Sequence, residues 1–293
     1  MTGEGCAPVK RRGGKLVVCP TPLGNLGDMT RRAIEALDAA DVVCAEDTRV
    51  TGKLLSAFGL EKRLERLDEA LVGQRSGVLA KRVLAGEVIA YCSDAGMPGV
   101  SDPGLRLVRA VRQAGGTVEV LPGPTAVSTA YVASGCANAR FYFGGFFPRK
   151  DAERRALLEG LRTLDAALVF YESPNRLVSA LAVMAETFPL REASVCRELT
   201  KLHEEVVTLP LSELRDRFAE RERAGALRGE IVVVIDGPSE AEAACDQEKA
   251  ADAARVRARE LKAEGMRGKD VAKALAQQFG IPRNVAYDIA LEA

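Results

Sequence analysis

The sequence predicts an α/β protein: a largely parallel first sheet, a mixed second sheet and a small helical unit at the C-terminus. Three observations carry this expectation. From residue 16 to about residue 123, short β-branched runs alternate with longer amphipathic ones, which is the pattern of βαβ units. Beyond that point the strand-like runs 193–197 and 205–209 follow each other with no room for a crossover helix, so they are expected to pair antiparallel. After Gly237 the composition turns charged and helical. At roughly 100–200 residues per domain, 293 residues accommodate two domains and an appendage. The expected divisions are a basic arm 1–15, an α/β domain 16–123, a second α/β domain 124–238 and a C-terminal unit 239–293.

In chain order, residues 16–19 read as a strand, 30–40 as a helix with Ile34 and Leu37 on one face, and 41–45 and 88–93 as strands. A helix over 102–114 follows, with Leu105, Val108 and Val111 at helical spacing. Ser101 or Asp102 suits its N-cap, Pro103 its first turn and Gly115 the left-handed position past its end. Residues 117–121 form the next strand, and Pro122-Gly123-Pro124 punctuates the chain before a helix that starts at Thr125. Strands are expected over 141–147, 166–171, 193–197, 205–209 and 230–235. Residues 239–252 read as an acidic linker or a helix start. In the last unit Val271, Leu275 and Phe279 recur every four residues, Gly280-Ile281-Pro282 breaks the run, and Asn284 is the expected cap of a final helix carrying Val285 and Ile289. That spacing suits a helix-turn-helix.

Composition removes several function classes. With 47% hydrophobic and 28% charged residues the chain is neither disordered nor fibrous. Its longest apolar runs, such as 166–171 and 231–235, fall far short of the about 20 residues a membrane helix needs. Lys10, Arg11, Arg12 and Lys15 precede only a four-residue apolar run before Pro20, too short for a secretion signal, so a cytoplasmic protein is expected. Seven scattered cysteines without a Cys-x-x-Cys pair, and a single histidine, His203, point to small buried hydrophobes rather than disulfides or a metal site.

Strands of an open parallel sheet deliver ligand-binding turns at their carboxyl ends. Three turns here, 20–28, 93–104 and 121–126, are rich in Gly and Pro and would floor a cleft with backbone donors, the last one opening a helix N-terminus. None is a G-x-G-x-x-G turn or a phosphate loop, which disfavours an ordinary nicotinamide or ATP site. A fourth segment, Glu46-Asp47-Thr48-Arg49, places two carboxylates and a guanidinium at the end of the second strand.

The segments VCPTPLGNLGDMTRRAIEAL, DVVCAEDTR, SDAGMPGVSDPG, LPGPTA, FYESPNRL, CRELTKLHEE and RGEIVVVIDG, in that order, resemble the tetrapyrrole (corrin/porphyrin) methylase superfamily. AEDTR and RELTK single out its branch that modifies ribosomal RNA. The resemblance runs from about residue 15 to the C-terminus. It implies a two-domain tetrapyrrole-methylase-like fold, a homodimer, and S-adenosylmethionine-dependent methylation of the ribose 2′-hydroxyl of a cytidine in 16S rRNA of the small subunit. Carried over by motif, Leu23, Ser93, Asp94, Gly96, Met97, Thr125, Ala126, Tyr171 and Glu230 are the expected cofactor positions. Met97 stands where a threonine is usual, and Asn175 where a histidine is common.

Methyl transfer to a hydroxyl needs alignment and a group to receive the proton. Glu46, Asp47, Asp94, Lys201 and Glu204 are candidates for that group, and Glu46, Asp47 and Arg49 are the expected catalytic set, with Arg49 pairing a phosphate or carboxylate. For gripping RNA, Arg149, Lys150, Arg154 and Arg155 follow Phe146 and Phe147, and Lys201 adds a further cation. Two other functions are open: methylation of a tetrapyrrole or other small molecule, and a non-catalytic RNA-binding assembly protein. The net charge of zero, 41 bases against 41 acids, hides separated patches. Residues 239–252 carry five acids and one base, and 255–283 eight bases and three acids, so the balance does not oppose a polyanionic partner.

Overall fold

The computed structural model describes residues 13–293, with the side chains of 241 and 243–247 left aside. The basic residues Lys10, Arg11 and Arg12 of the expected arm lie outside the described residues. Five parallel strands, β1 (Lys15–Val18), β2 (Val42–Ala45), β3 (Leu64–Arg66), β4 (Val88–Cys92) and β5 (Thr117–Val120), form the first sheet in the order β3-β2-β4-β1-β5. Both faces are covered. Leu16 and Val18 pack into the core on one face, Val17 and Cys19 into that on the other, which is why these strands are apolar throughout rather than alternating. Helices α1 (Arg31–Ala39) and α2 (Thr48–Ala57) cover one face, and α3 (Glu69–Leu84) and α4 (Gly104–Gln113) the other. Thr30 caps α1 by accepting from the Ala33 N–H.

The architecture departs from the sequence expectation at α2, β3 and α3, which were not anticipated, and in details of α4 and of the last helix. The strand β3 is three residues long and half-exposed, so it carries no hydrophobic run, whereas α3 buries Val72, Ser76, Leu79, Ala80 and Val83 at a helical spacing that Gly73 and Gly77 interrupt. On α4 the buried residues are Leu107 and Val111, and Leu105 is 66% exposed. The last helix starts two residues earlier than expected, with Pro282 at its N-cap and Asn284 inside it.

The second sheet is mixed, in the order β6-β7-β10-β8-β9. The strands β6 (Phe141–Phe146) and β7 (Ala167–Glu172) run parallel; β8 (Glu192–Arg197), β9 (Glu205–Pro210) and β10 (Ile231–Ile235) pair antiparallel. Helices α6 (Asp151–Gly160), α7 (Pro174–Thr187) and α8 (Leu211–Arg223) pack on one face. The other face receives α5 (Ala126–Ser134), which ends at the left-handed Gly135. Of the two readings left open for 239–252, helix is the outcome: α9 (Glu240–Ala263) begins at a Ser239 cap. With α10 (Gly268–Phe279) and α11 (Arg283–Glu292) it builds a separate core around Ala258, Leu275 and Ile289. The link to the second sheet is a buried ion pair, Arg191 Nε to Glu242 Oε2 at 2.8 Å, with Arg191 stacked 4.0 Å from the Phe188 ring centroid. Among the described residues no helix is long and apolar enough to cross a membrane.

Candidate active site

The strand order reverses around β1 and β4, and the turns leaving these two strands meet. Thr21 and Gly96 exchange backbone hydrogen bonds of 3.0 and 3.1 Å, which clips the first turn to the second. Gly96 has φ +78°, a conformation other residues resist, and a Cβ there would come within 3.1 Å of Leu23. The second turn is held shut by Asp102, whose Oδ1 accepts from the backbone N–H groups of Gly99 and Gly104 at 2.6 and 3.0 Å. The third turn seats Gly123 against Pro20, with no space for a side chain, and leads into α5, whose Thr125 makes no capping bond with its side chain.

Opposite these turns stands the second sheet. Tyr171 and Glu172 of β7, Cys196 of β8 and residues 229–232 at the start of β10 close a cleft of about 460 Å³. Gly229, at φ +96°, sits against the Glu198 carboxylate. That carboxylate accepts from the Glu230 N–H at 2.8 Å and from Lys201 Nζ at 2.9 Å. Burial, together with the nearby Asp102 and Glu230 charges, pushes the Tyr171 hydroxyl up to about 12.

All nine expected cofactor positions line this cleft, from Leu23 to Glu230. Glu46 lines it as well, but Asp47 and Arg49 do not. Asp47 donates its N–H to Asp94 Oδ1 at 3.0 Å, caps α2 through its carboxylate and pairs with Arg49 at 2.6 Å. The Arg49 hydrogen bonds hold the Asp47 carboxyl far below the usual carboxylate range. Glu46 moves the other way: burial, then the charges of Asp94, Asp102 and Asp68, raise its pKa. Carboxylates of opposite tendency thus stand side by side in sequence.

The expected RNA contacts separate. Arg149 and Lys150 are exposed, Lys150 pairing with Glu153 at 3.1 Å, and Arg155 is half-exposed in a 2.6 Å pair with Glu186. Arg154 is 2% exposed; it donates to the Pro148 carbonyl at 2.8 Å and to Ser179 Oγ at 3.1 Å. Its guanidinium is committed to the core and is not presented to a ligand. Lys201 lies over Gly24 and bridges Glu198 and Glu230, so it spans the two sides of the cleft rather than facing outward.

Several cleft residues were not anticipated. Phe146 was read only as an RNA contact or core residue, yet it lines the cleft, as do Glu172 and Leu199; Val100, Ser101 and Asp102 line it from the second turn, where only the turn as a whole was expected to floor a cleft. Ser101 adopts φ +68°, which nothing in the sequence signals. Glu172 lies inside the YESPN segment, where the motif itself was the available signal.

Residues 15–215 match the family model of the tetrapyrrole (corrin/porphyrin) methylases. A ribosomal RNA small subunit methyltransferase I of Escherichia coli O157:H7 is 40% identical over 283 residues, 95% of each chain. The enzyme of the same name from Micromonospora olivasterospora is 40% identical over 94% of this chain and 86% of its own, and that of Mesorhizobium japonicum 42% identical over 83% and 82%. Among solved structures, a cobalt-precorrin-4 methyltransferase of cobalamin biosynthesis superposes with a TM-score of 0.57 at 17% identity, covering 79% of this chain and 98% of its own. A diphthine synthase gives 0.57 at 16% identity, covering 76% and 90%. The structural likeness shows a shared fold, and the sequence matches place the chain more finely: it belongs to the tetrapyrrole (corrin/porphyrin) methylase family, in the branch of the ribosomal RNA small subunit methyltransferases I.

Proposed function

We propose that the protein transfers a methyl group from S-adenosylmethionine to the ribose 2′-hydroxyl of a cytidine in 16S rRNA, acting in the cytoplasm as a homodimer. The observation that carries this is the near-full-length identity with enzymes named for small-subunit rRNA methylation, which extends beyond the two sheets into the C-terminal helices. A methylase of a small tetrapyrrole would need no such basic helical extension.

The lining of the cleft suits the cofactor. Gly96 and Gly229 leave backbone free of side chains, Leu23, Val100 and Leu199 offer apolar wall, and Asp94, Glu46 and Glu230 supply negative charge toward a cationic ligand. Residues of the second and third turns and of 229–231 would hold it. When bound, the cofactor supplies a methyl group already activated on a sulfonium sulfur. The protein has then to align the hydroxyl and receive its proton. Glu46 is the group placed for that: it lines the cleft, and its raised pKa makes it a better proton acceptor than an ordinary carboxylate. Asp47, held ionised by Arg49, orients the backbone beside Asp94. Arg49, with its side chain 86% exposed, is available to an RNA phosphate.

The test is incubation of the protein with methyl-labelled S-adenosylmethionine and, in parallel, 30S subunits, bare 16S rRNA or a porphyrinogen, followed by nuclease digestion and mass mapping. One 2′-O-methylcytidine in 16S rRNA is expected. Label in the porphyrinogen alone would refute the reading. Sedimentation at twice the 31.3 kDa chain mass tests the homodimer.

A further inference from the structure

A second cavity of about 440 Å³ adjoins the cofactor cleft and shares Leu23, Ser93, Asp94, Ala95 and Glu230 with it. Its remaining walls are largely apolar: Pro22 and Leu26 from the first turn, and Val50 and Leu54 from α2. Leu26 and Val50 are 51% and 42% exposed and line the same cavity. Two hydroxyls break the apolar lining, and one of them, Thr21 Oγ1, donates to the Ser93 carbonyl at 3.2 Å. Thr51 is 1% exposed, lines the cavity, and its hydroxyl has no hydrogen-bond partner, which costs free energy unless a ligand supplies one.

The charges grade outward. Inside, aliphatic side chains and one unpartnered hydroxyl form the wall away from the cofactor cleft, and Asp94 and Glu230 stand on the shared side. Outside, Arg49 is highly exposed and Lys53, one turn further along α2, is exposed with no ion pair among the described residues. A flat ring carried on an anionic strand matches this gradient: aliphatic side chains cover the faces of a base turned out of its stack, a hydroxyl that both donates and accepts meets its edge, and phosphates remain near the cations. We propose that this cavity receives the base of the target nucleotide, with Leu26, Val50 and Leu54 covering its faces and Thr51 Oγ1 hydrogen-bonding its edge. The shared wall at Leu23 and Asp94 then brings that nucleotide's ribose to the cofactor cleft. This inference rests on the RNA methylation reading and names its substrate subsite.

The test uses the full chain with Leu54→Trp, which fills the cavity, and Thr51→Val, which removes the hydroxyl and adds no bulk, so that a folding defect in one leaves the other informative. Neither residue lines the cofactor cleft. Calorimetric binding of S-adenosylmethionine is expected within about twofold of wild type, whereas methyl transfer to 30S subunits falls about 100-fold in Leu54→Trp and about tenfold in Thr51→Val. Cytidine 5′-monophosphate, titrated with methyl-labelled protein, is expected to shift the Leu26 and Val50 resonances in wild type and not in Leu54→Trp. Wild-type transfer by both variants, or nucleotide shifts that persist unchanged in Leu54→Trp, overturns the proposal. Wild-type protein that leaves 30S RNA unmodified counts instead against the RNA reading, and the nucleotide titration then decides the cavity by itself.

Discussion

Replacing Glu46 by Gln makes opposite demands on activity and stability. The side chain lines the cleft half-buried, and burial with three neighbouring carboxylates raises its pKa. If it receives the hydroxyl proton, its loss lowers kcat about 10²–10⁴-fold, roughly 3–5 kcal/mol of barrier, and leaves S-adenosylmethionine affinity little changed. The wild-type rate should rise with pH through the raised pKa of Glu46, above the ordinary glutamate value of 4.5, and the variant should lose that acid limb. Stability moves the other way. A carboxyl whose pKa is raised by folding binds protons more tightly in the folded state, so stability falls as pH rises through the window between the ordinary and the raised value. At neutral pH the ionised Glu46 is therefore destabilising, and Gln should raise Tm. Methyl transfer to 30S subunits across pH 5–9, calorimetric cofactor binding and thermal melts at pH 7.5 read the three effects. Wild-type turnover with an unchanged pH profile would remove Glu46 from the chemistry, and a lowered Tm with lost cofactor binding would make it a structural residue.

Glu242→Ala leaves Arg191 buried without its counter-charge, which costs about 3–5 kcal/mol; a lower Tm and faster proteolytic release of the C-terminal helices are expected, and unchanged cleavage near residue 238 would contradict this. Gly229→Ala puts a Cβ about 2.5 Å from the Glu198 carboxylate at φ +96°. The left-handed backbone alone costs about 1–2 kcal/mol, so a lower Tm together with weaker cofactor binding is expected, since Glu230 and Lys201 share that carboxylate. Exposed and buried arginines should part company: Arg149→Ala and Lys150→Ala lower the slope of log affinity against log salt by about 0.7 each, as for single-stranded contacts, at constant Tm. Arg154→Ala lowers Tm instead, and a pure affinity effect there would refute its assignment to the core.

The parts of the fold legible in the sequence were those where one local rule decides the outcome. The core strands of the first sheet are apolar on both faces, so their runs were visible. The three Gly/Pro turns follow strands directly, so the floor of the cleft was visible too. What escaped depended on distant neighbours. Glu46 and Asp47 are adjacent carboxylates with the same intrinsic chemistry, and only the placement of Asp94, Asp102 and Arg49 around them drives their pKa values apart. Arg154 and Arg155 are likewise adjacent, yet helix α6 turns one toward Pro148 and Ser179 in the core and the other toward Glu186 at the surface. A basic cluster read from composition does not distinguish these fates, because the roughly 100° between neighbouring helix positions becomes an inside and an outside only when a sheet packs against it.

The charge separation behind the zero net charge takes a structural meaning from α9. Its acidic half comes first, with Glu240 and Glu242 in the opening turn behind the Ser239 cap, and its cations, Arg255 to Lys262, come later. That order complements the helix dipole at both ends. Of the acidic patch at 239–252, Glu240 and Glu242 stabilise the start of a 24-residue helix, and Glu242 fixes that start to Arg191. The basic patch has a different standing. Lys262 completes the dipole argument, but Arg267, Lys269, Lys273 and Arg283 lie beyond α9, on the short helices α10 and α11 and the turns before them, where no ion pair among the described residues engages them. The zero net charge is therefore a sum over separate places in the fold, and a negatively charged partner of the C-terminal helices would meet cations that no ion pair engages among the described residues.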